Sequence, residues 1–339
     1  MYDYSRAGNP TRTALEVSMA TLEGATHAIT FSSGLAAEQA IMQTLNAGDH
    51  VIVSEDVYGG TGRLFRTLWE KFGIQFEFLD LRDVLAVKNA VRDNTVMIWI
   101  ESPTNPLLRI VDIPAMAEIG RSCGATVVVD NTFCSPILQQ PLSLGADLVI
   151  HSSTKYLGGH SDLIGGVVMT SNDALAEKVR FVQFAAGAVN APNEAFLLLR
   201  SIKTLAIRME KHCANAMAFS EALTGMDGVT SVVYPGLPSH PQHALARSQM
   251  SGYSGMVSAY IDGGMPRVTR FLQRLELFTL AESLGGVESL VNHPETMTHA
   301  SVPPALRAKL GIDAGLVRFS LGIECAADLI EDVRQALKA

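Results

Sequence analysis

Short, wholly apolar runs of strand length alternate with helical segments over the first two-thirds of this chain. Seven runs are strand-like, at residues 26–31, 50–55, 74–80, 96–101, 125–130, 146–152 and 165–170. Because most of these runs are apolar throughout and do not alternate with polar residues, they indicate a sheet that is covered on both faces. The order strand–helix–strand predicts right-handed crossovers and a mostly parallel, doubly wound α/β sheet.

The final third of the chain has a different pattern. A single long helix is predicted from Asn193 to Leu223, since no proline or glycine interrupts this stretch. Beyond it, shorter strand-like runs mix with helical segments, which favours a smaller α+β unit; these runs lie at 229–234, 256–261, 277–281 and 316–321. We therefore predict a large domain over residues 1–205 and a C-terminal domain over residues 206–339.

Composition argues against several classes of protein. The net charge is −8, aromatic residues make up 6% of the chain and no cluster of Lys and Arg is present, so binding to nucleic acid is not expected. The longest apolar runs have strand length, which predicts no membrane span. The cysteines lie far apart with no CxxC pair and the histidines lack metal-ligand spacing, which indicates reduced thiols in a cytoplasmic protein without a metal site; the cysteines are Cys123, Cys134, Cys213 and Cys325.

Polar side chains follow several of the predicted strands. Asp130 ends one run, Lys155 follows the next, and the segment 101–105, "ESPTN", follows another. Because ligands bind at the carboxyl ends of the strands in an open α/β sheet, we expect these side chains to lie around one site. In "FSSGLAA", Gly34 and Leu35 open a helix that follows the first strand, so their amides would face an anion.

Pyridoxal phosphate is the cofactor that this combination of groups fits. A lysine amine forms its Schiff base, and a carboxylate such as Asp130 keeps the pyridine nitrogen protonated. The helix start and the hydroxyls of Ser152 and Thr154 would hold the phosphate. Tyr58, which follows the run 50–55, offers an aromatic ring to stack on the pyridine face.

Ten motifs, spread in order from Tyr4 to the end of the chain, resemble the Cys/Met metabolism family of pyridoxal-phosphate-dependent enzymes. They are "YSRAGNPTR", "SSGLAA", "VYGGTGRLFR", "ESPTNP", "VVVDNTF", "HSSTKYLGGHSD", "YPGLPSHPQH", "LFTLAESLGGVESL", "MTHAS" and "RFSLGIE". The resemblance implies the type I fold of these enzymes. It also implies a cytoplasmic homotetramer, a dimer of dimers, in which active sites are shared across the dimer interface.

The resemblance assigns roles to the cofactor site. Lys155 is the Schiff-base lysine, Tyr58 shares in proton transfer, and Asp130 pairs with the pyridinium nitrogen. The remaining cofactor contacts that it implies are Tyr4 and Arg6, which reach the neighbouring subunit's phosphate site, and Gly34, Leu35, Asn105, Ser152 and Thr154. Since "YSR" begins at position 4, where the family's chains normally carry several dozen residues before it, the N-terminal arm is expected to be short or truncated.

The resemblance also assigns substrate contacts. Arg318 would grip the substrate α-carboxylate, aided by Ser283 and Asn105, because a guanidinium fork matches a carboxylate. Glu282 would hold the distal ammonium of cystathionine, and Arg63 would reach the distal end of a substrate. A structural alternative for Arg318 is an ion pair with Glu324.

The activity implied is that of a cystathionine γ-lyase, which releases cysteine, 2-oxobutanoate and ammonia from cystathionine, with release of hydrogen sulfide as a side activity. The alternative is γ-replacement on an O-acyl-homoserine, as in a cystathionine γ-synthase. A β-lyase, a methionine γ-lyase (in which a cysteine usually replaces Gly60) and an inactive homologue are less favoured. Phe184, Ala185 and Ser201 depart from residues common in the family, so we expect them to alter the substrate pocket or the hold on the cofactor. The strand–helix rhythm alone leaves a nucleotide-binding Rossmann protein open, although no GxGxxG motif is present.

Overall fold

The computed structural model describes residues 2–300 and 302–338. Seven strands form the larger sheet: β1 (His27–Phe31), β2 (His50–Ser54), β3 (Gln75–Leu79), β4 (Thr95–Glu101), β5 (Thr126–Asp130), β6 (Leu148–His151) and β7 (Gly166–Thr170). Their order across the sheet is β1-β7-β6-β5-β4-β2-β3. Strands β2, β3, β4, β5 and β6 are parallel to one another, as predicted. Strand β7 lies between β1 and β6 and is antiparallel to both. The predicted mostly parallel α/β fold is therefore confirmed.

Helices cover the large sheet and also occur in the C-terminal region. They are α1 (Pro10–Glu23), α2 (Gly34–Met42), α3 (Gly59–Arg63), α4 (Val84–Ala90), α5 (Ile113–Cys123), α6 (Ser135–Leu138), α7 (Asp173–Ala186), α8 (Pro192–Ser201), α9 (Leu205–Leu223), α10 (His243–Gln249), α11 (Gly264–Arg274), α12 (Pro304–Leu310) and α13 (Ala326–Leu337). Local sequence signals explain where several of these helices begin and end. The Asn9 side chain accepts from the first amides of α1, and Gly24 ends that helix with a φ of 71°.

Both faces of the larger sheet are buried, which explains the continuous apolar runs. Along β5, Val128 packs with α2 and α7 on one face, while Val127 and Val129 pack with α5 on the other. Near the other end of the sheet, Val149 and Val167 pack against α1 and α8. Since successive side chains of a strand point to opposite faces, only a run that is apolar at every position can bury both.

The predicted helix from Asn193 to Leu223 is wrong as a single element, because a 3₁₀ turn at Ile202–Thr204 separates α8 from α9. The side chains around the break explain it. The Ser201 carbonyl accepts from Thr204 Oγ1 at 3.1 Å and from Arg208 Nη2 at 3.0 Å. In a continuous helix this carbonyl would accept from the amide of Leu205, which instead bonds to Ile202.

Five strands form a second, mostly antiparallel sheet in the order β10-β11-β12-β9-β8. They are β8 (Val229–Val233), β9 (Met256–Ile261), β10 (Thr279–Leu280), β11 (Leu290–Asn292) and β12 (Leu316–Ser320). The predicted α+β character of the C-terminal region is confirmed, although the three-residue strand β11 has too short a pattern to be predicted. A boundary between domains at residue 205 stays a prediction.

The cysteines are all free. Cys134 is buried, Cys123 and Cys213 are half-buried, and Cys325 is exposed. Across residues 2–300 and 302–338, no helix is both long enough and apolar enough to cross a bilayer.

Tyr156 connects the large sheet to the second sheet. Its side chain is buried, and its hydroxyl accepts a hydrogen bond of 3.0 Å from the amide of Gly255, which directly precedes β9. Burial raises the pKa of Tyr156, so the hydroxyl stays neutral. Because Tyr156 directly follows Lys155, this contact also fixes the chain next to the lysine.

We predict that Tyr156→Phe lowers the free energy of unfolding by about 1–3 kcal/mol, because the buried Gly255 amide then lacks a partner. Denaturant unfolding of the cofactor-free protein measures the change. Tyr253→Phe is the matched control, since the Tyr253 hydroxyl has no hydrogen bond among the residues that the structure describes. Equal stability of the Tyr156→Phe variant and the unchanged protein would contradict this role.

Candidate active site

A cavity of about 220 Å³ lies at the carboxyl edge of the large sheet. It collects eight of the residues that the sequence predicts to form a cofactor site, although they are spread over more than 120 positions. These are Gly34, Leu35, Tyr58, Asn105, Asp130, Ser152, Thr154 and Lys155. Ser33, Glu38, Glu101, Thr132, Phe133, Ile150, Ile164 and Leu284 complete the lining.

One end of the cavity is suited to an anion. Helix α2 begins there, with Ser33 as its N-cap, whose hydroxyl accepts from the Ala36 amide at 3.0 Å. A Cβ atom on Gly34 would lie 2.9 Å from Ser152 Cβ, so only glycine permits this approach. In the segment between β6 and β7, the Thr154 hydroxyl accepts from the Gly165 amide at 3.1 Å. Free amides at a helix start and nearby hydroxyls are groups suited to binding a phosphate.

Asp130 supplies a carboxylate to the cavity. Its Oδ1 accepts from the Thr132 amide at 2.9 Å, so it also forms the local turn that is common for Asp. Burial raises the pKa of Asp130, and among the described residues it forms no ion pair. A cation that entered the cavity beside Asp130 would therefore be stabilised.

Lys155 lies where the chain leaves β6, and its Nζ donates to Ser283 Oγ at 2.8 Å. Burial lowers the pKa of Lys155 to about 8, and the positive charge of Arg318 acts in the same direction, against Glu282. A lysine with this pKa has a sizeable neutral fraction near neutral pH, which a nucleophile or base requires.

Arg318 connects the second sheet to the cavity. It is buried on β12, donates from Nη1 to Asn105 Oδ1 at 2.8 Å and from Nη2 to the Ser283 carbonyl at 2.9 Å. Its Nε is buried without a partner among the described residues. Glu324, the proposed ion-pair alternative, instead accepts from Ser289. That alternative is wrong, because the Arg318 guanidinium bonds to Asn105 and Ser283 and forms no ion pair with Glu324.

Two further groups hold Asn105 in place. Glu101 Oε1 accepts from the Asn105 amide, and Glu101 Oε2 accepts from the Tyr58 amide, each at 2.8 Å. His299 donates from Nε2 to the Asn105 carbonyl at 3.1 Å, and burial lowers the pKa of His299 to about 4, so its ring is neutral. Ser301, which ends the same "MTHAS" motif, lies outside the described residues.

The predicted distal contacts lie at the rim. Tyr58 is 38% exposed; burial raises its pKa, and the charges of Glu282 and Arg63 act on it in opposite directions. The side chains of Glu282 and Arg63 are themselves exposed. The structure thus brings both near Tyr58, and their contact with a substrate stays a prediction.

Tyr4 and Arg6 lie outside this cavity. The Arg6 guanidinium packs over the rings of Tyr4 and Phe184 and donates to the Phe184 carbonyl. Their role in a neighbouring subunit stays a prediction. Of the departures, Phe184 and Ala185 are exposed on α7, and Ser201 lies at the α8–α9 break, so none of them lines the cavity.

Sequence reasoning missed two buried acids. Glu101 was included in the strand-end segment without a role, and Glu38 was not singled out. A usable signal existed for Glu38, since it follows Gly34 by four positions on a helix and therefore shares its face. Burial raises the pKa of both carboxyl groups well above the ordinary value, and Asp130 adds to this.

Comparison with known proteins agrees with this geometry. Residues 1–338 match the family described as Cys/Met metabolism PLP-dependent enzyme. A cystathionine γ-lyase of Dictyostelium discoideum is 52% identical over 336 residues, covering 99% of this chain and 87% of that protein. A cystathionine β-lyase of Coxiella burnetii is 51% identical over 338 residues, covering 99% and 87%. The crystal structure of cystathionine γ-lyase from Lactobacillus plantarum complexed with L-serine has a TM-score of 0.97 at 44% identity, covering 100% of this chain and 88% of that one.

Gly34→Ala is predicted to weaken binding of pyridoxal phosphate by at least about tenfold, because the added Cβ collides with Ser152 where the helix start meets the anion. Equilibrium dialysis of the cofactor-free variant measures this affinity. Binding of pyridoxal, which lacks the phosphate, serves as the control and is expected to change less. Equal losses for both ligands would argue against a phosphate site here.

The reaction of the cofactor-free protein with pyridoxal phosphate is predicted to accelerate as pH rises through about 8. Above the pKa of Lys155 the amine is neutral, and only the neutral amine attacks an aldehyde. Stopped-flow absorbance of the visible band follows the reaction, and Lys155→Ala is expected to give no band. A midpoint near that of an ordinary lysine would show that Lys155 is not desolvated.

Proposed function

Because the chain belongs to the Cys/Met metabolism family of pyridoxal-phosphate-dependent enzymes, we propose that it cleaves cystathionine by α,γ-elimination, as a cystathionine γ-lyase does. It is a pyridoxal-phosphate-dependent carbon–sulfur lyase, like the relatives named above. The observation that carries the proposal is the desolvated amine of Lys155, hydrogen-bonded to Ser283 in the same cavity as Asp130.

The cavity fits pyridoxal phosphate at both ends. At one end, Gly34 leaves space where a Cβ would collide with Ser152, beside the hydroxyls and the start of α2. At the other, Asp130 is half-buried and forms no ion pair among the described residues. A protonated ring nitrogen supplies the cation that this carboxylate lacks. We propose that Tyr58 stacks on the ring and that Leu35, Asn105 and Thr154 complete the site.

When bound, pyridoxal phosphate supplies an electron-accepting ring that stabilises negative charge on the substrate carbons. The residues of this chain bind the substrate and move its protons. Arg318 has an unpartnered Nε in a buried setting, and we propose that this side chain binds the α-carboxylate. Lys155 Nζ takes the Cα proton, since its lowered pKa makes the neutral amine available near pH 8.

The distal half of the substrate meets the exposed rim. We propose that Glu282 binds the distal ammonium of cystathionine, because its charge already acts on Tyr58, Lys155 and Arg318. The charge of Arg63 acts on the pKa of Tyr58 in the direction opposite to that of Glu282, and we propose that Arg63 binds the distal carboxylate. Two opposite charges at the rim match the zwitterionic end of cystathionine.

We further propose a homotetramer in which Tyr4 and Arg6 complete a neighbouring subunit's site. Exposed apolar side chains on α7, α8 and α9 are available for contacts between subunits: Phe181, Phe196 and Ile207 are 68%, 58% and 70% exposed. The four free cysteines favour a reducing compartment, so we place the enzyme in the cytoplasm.

A second candidate is β-elimination, which the 51% identical relative named as a cystathionine β-lyase favours. The two reactions break different carbon–sulfur bonds. Each takes up one water: elimination at Cγ gives cysteine, 2-oxobutanoate and ammonia, whereas elimination at Cβ gives homocysteine, pyruvate and ammonia. The keto acid released therefore identifies the bond that is cleaved.

We predict that the purified holoenzyme converts cystathionine to 2-oxobutanoate and cysteine in equal amounts, with Lys155→Ala slower by about 10²–10⁴-fold because the general base is lost. Chromatography of the derivatised keto acids distinguishes 2-oxobutanoate from pyruvate, and a thiol assay measures cysteine. Pyruvate as the main product would replace the γ-lyase proposal with β-elimination. Faster turnover of an O-acyl-homoserine with cysteine would identify a γ-synthase instead.

A further inference from the structure

Glu38 is a buried acid in the cofactor cavity to which the proposed mechanism gives no task. It lies one helical turn after Gly34 on α2, is 3% exposed and lines the cavity. Its Oε1 accepts from Thr61 Oγ1 at 2.9 Å, whereas its Oε2 has no hydrogen-bond partner among the described residues. A polar atom buried without a partner is unfavourable unless a ligand satisfies it.

The protonation of Glu38 follows from its surroundings. Burial, and next the negative charge of Asp130, raise the pKa of Glu38 well above the ordinary value, which favours the neutral acid. In the neutral form, with Oε1 accepting from Thr61 Oγ1, the acidic proton lies on Oε2, and the unpartnered atom is then a hydrogen-bond donor.

Few charges face this side chain. The titratable groups that act on it are Asp130 from β5 and Tyr58 from the turn before α3, and Glu101 and Lys155 line the same cavity. The other elements packed against α2 meet it with apolar side chains: Ile29 from β1, Ile150 from β6, Val168 from β7 and Val179 from α7. In the described part of the chain, no group of His, Cys, Asp and Glu is arranged to hold a metal ion, so the acids are not a metal site.

We propose that Glu38 tunes the bound cofactor: its Oε2 proton is offered to the Asp130 end of the cavity, where it weakens the hold of the protein on the proton of the ring nitrogen. Asp130 favours the protonated nitrogen because its carboxylate is negative. A donor beside the same position opposes that effect, and the balance sets how strongly the ring withdraws electrons. This inference rests on the cofactor and not on which carbon–sulfur bond is cleaved, so it stands or falls separately from the γ-lyase proposal.

The test compares two substitutions that differ in the donor. Glu38→Gln keeps a neutral side chain with a donor, and Glu38→Leu removes the donor. We expect the pH midpoint for loss of the ring-nitrogen proton to rise by about one unit in Glu38→Leu, the size of one hydrogen bond to a charged site, and to stay unchanged in Glu38→Gln. Nuclear magnetic resonance of holoenzyme loaded with ring-nitrogen-labelled pyridoxal phosphate measures the midpoint without any substrate. Glu38→Met, unbranched and of similar length, replaces Glu38→Leu if that variant does not bind the cofactor.

The opposite result is equally clear. If Glu38 were ionised, both substitutions would remove a negative charge and lower the midpoint, which overturns the proposal. An unchanged midpoint in both variants overturns it as well. Glu16→Gln is the matched control, because Glu16 is a buried glutamate on α1 that also accepts from a threonine hydroxyl, Thr30 Oγ1 at 3.2 Å, and lies outside the cavity. A shift in Glu16→Gln as large as in Glu38→Leu would show that the effect is not specific.

Discussion

The removal of ionisable side chains from water at the carboxyl edge of the large sheet is the constraint on which the site depends. Burial is the largest cause of the shift for each of them: it lowers the pKa of Lys155 and Arg318 and raises the pKa of Asp130, Glu38 and Glu101. Both kinds of group are thus driven toward their neutral forms. The same low dielectric strengthens every hydrogen bond that remains, so a few well-placed partners define the geometry of the cavity.

Ser283 joins Lys155 of the large domain to Arg318 of the second sheet. Its hydroxyl accepts from Lys155, and its carbonyl accepts from Arg318. Ser283 has a φ of 109°, a backbone conformation that residues other than glycine rarely adopt and that persists only where its surroundings impose it. The strand-end lysine of one sheet and the arginine of the other are therefore held at a fixed separation by one strained residue.

Local pattern predicted much of the fold and part of the site. Continuous apolar runs located the seven strands, and because parallel strands end at one edge, Asp130 and Lys155 could be placed together without any structure. Arg318 could not, because its contact with Asn105 joins residues 213 positions apart, and only the family resemblance indicated it. The break between α8 and α9 was missed because it depends on Arg208, a side chain from the next helix. Glu38 was missed because a glutamate within a helix is exposed or buried according to how the helix is rotated.

Because Arg318 lies late in the sequence, the residues of the site become available in a fixed order during translation. The large sheet is complete in sequence once β7 has emerged, so Asp130, Lys155 and the start of α2 can assemble early. Arg318, on β12, and Ser283 are translated long afterwards. A nascent chain can thus form the part of the cavity proposed to hold pyridoxal phosphate before the proposed substrate contacts, Arg318 and Ser283, have been translated.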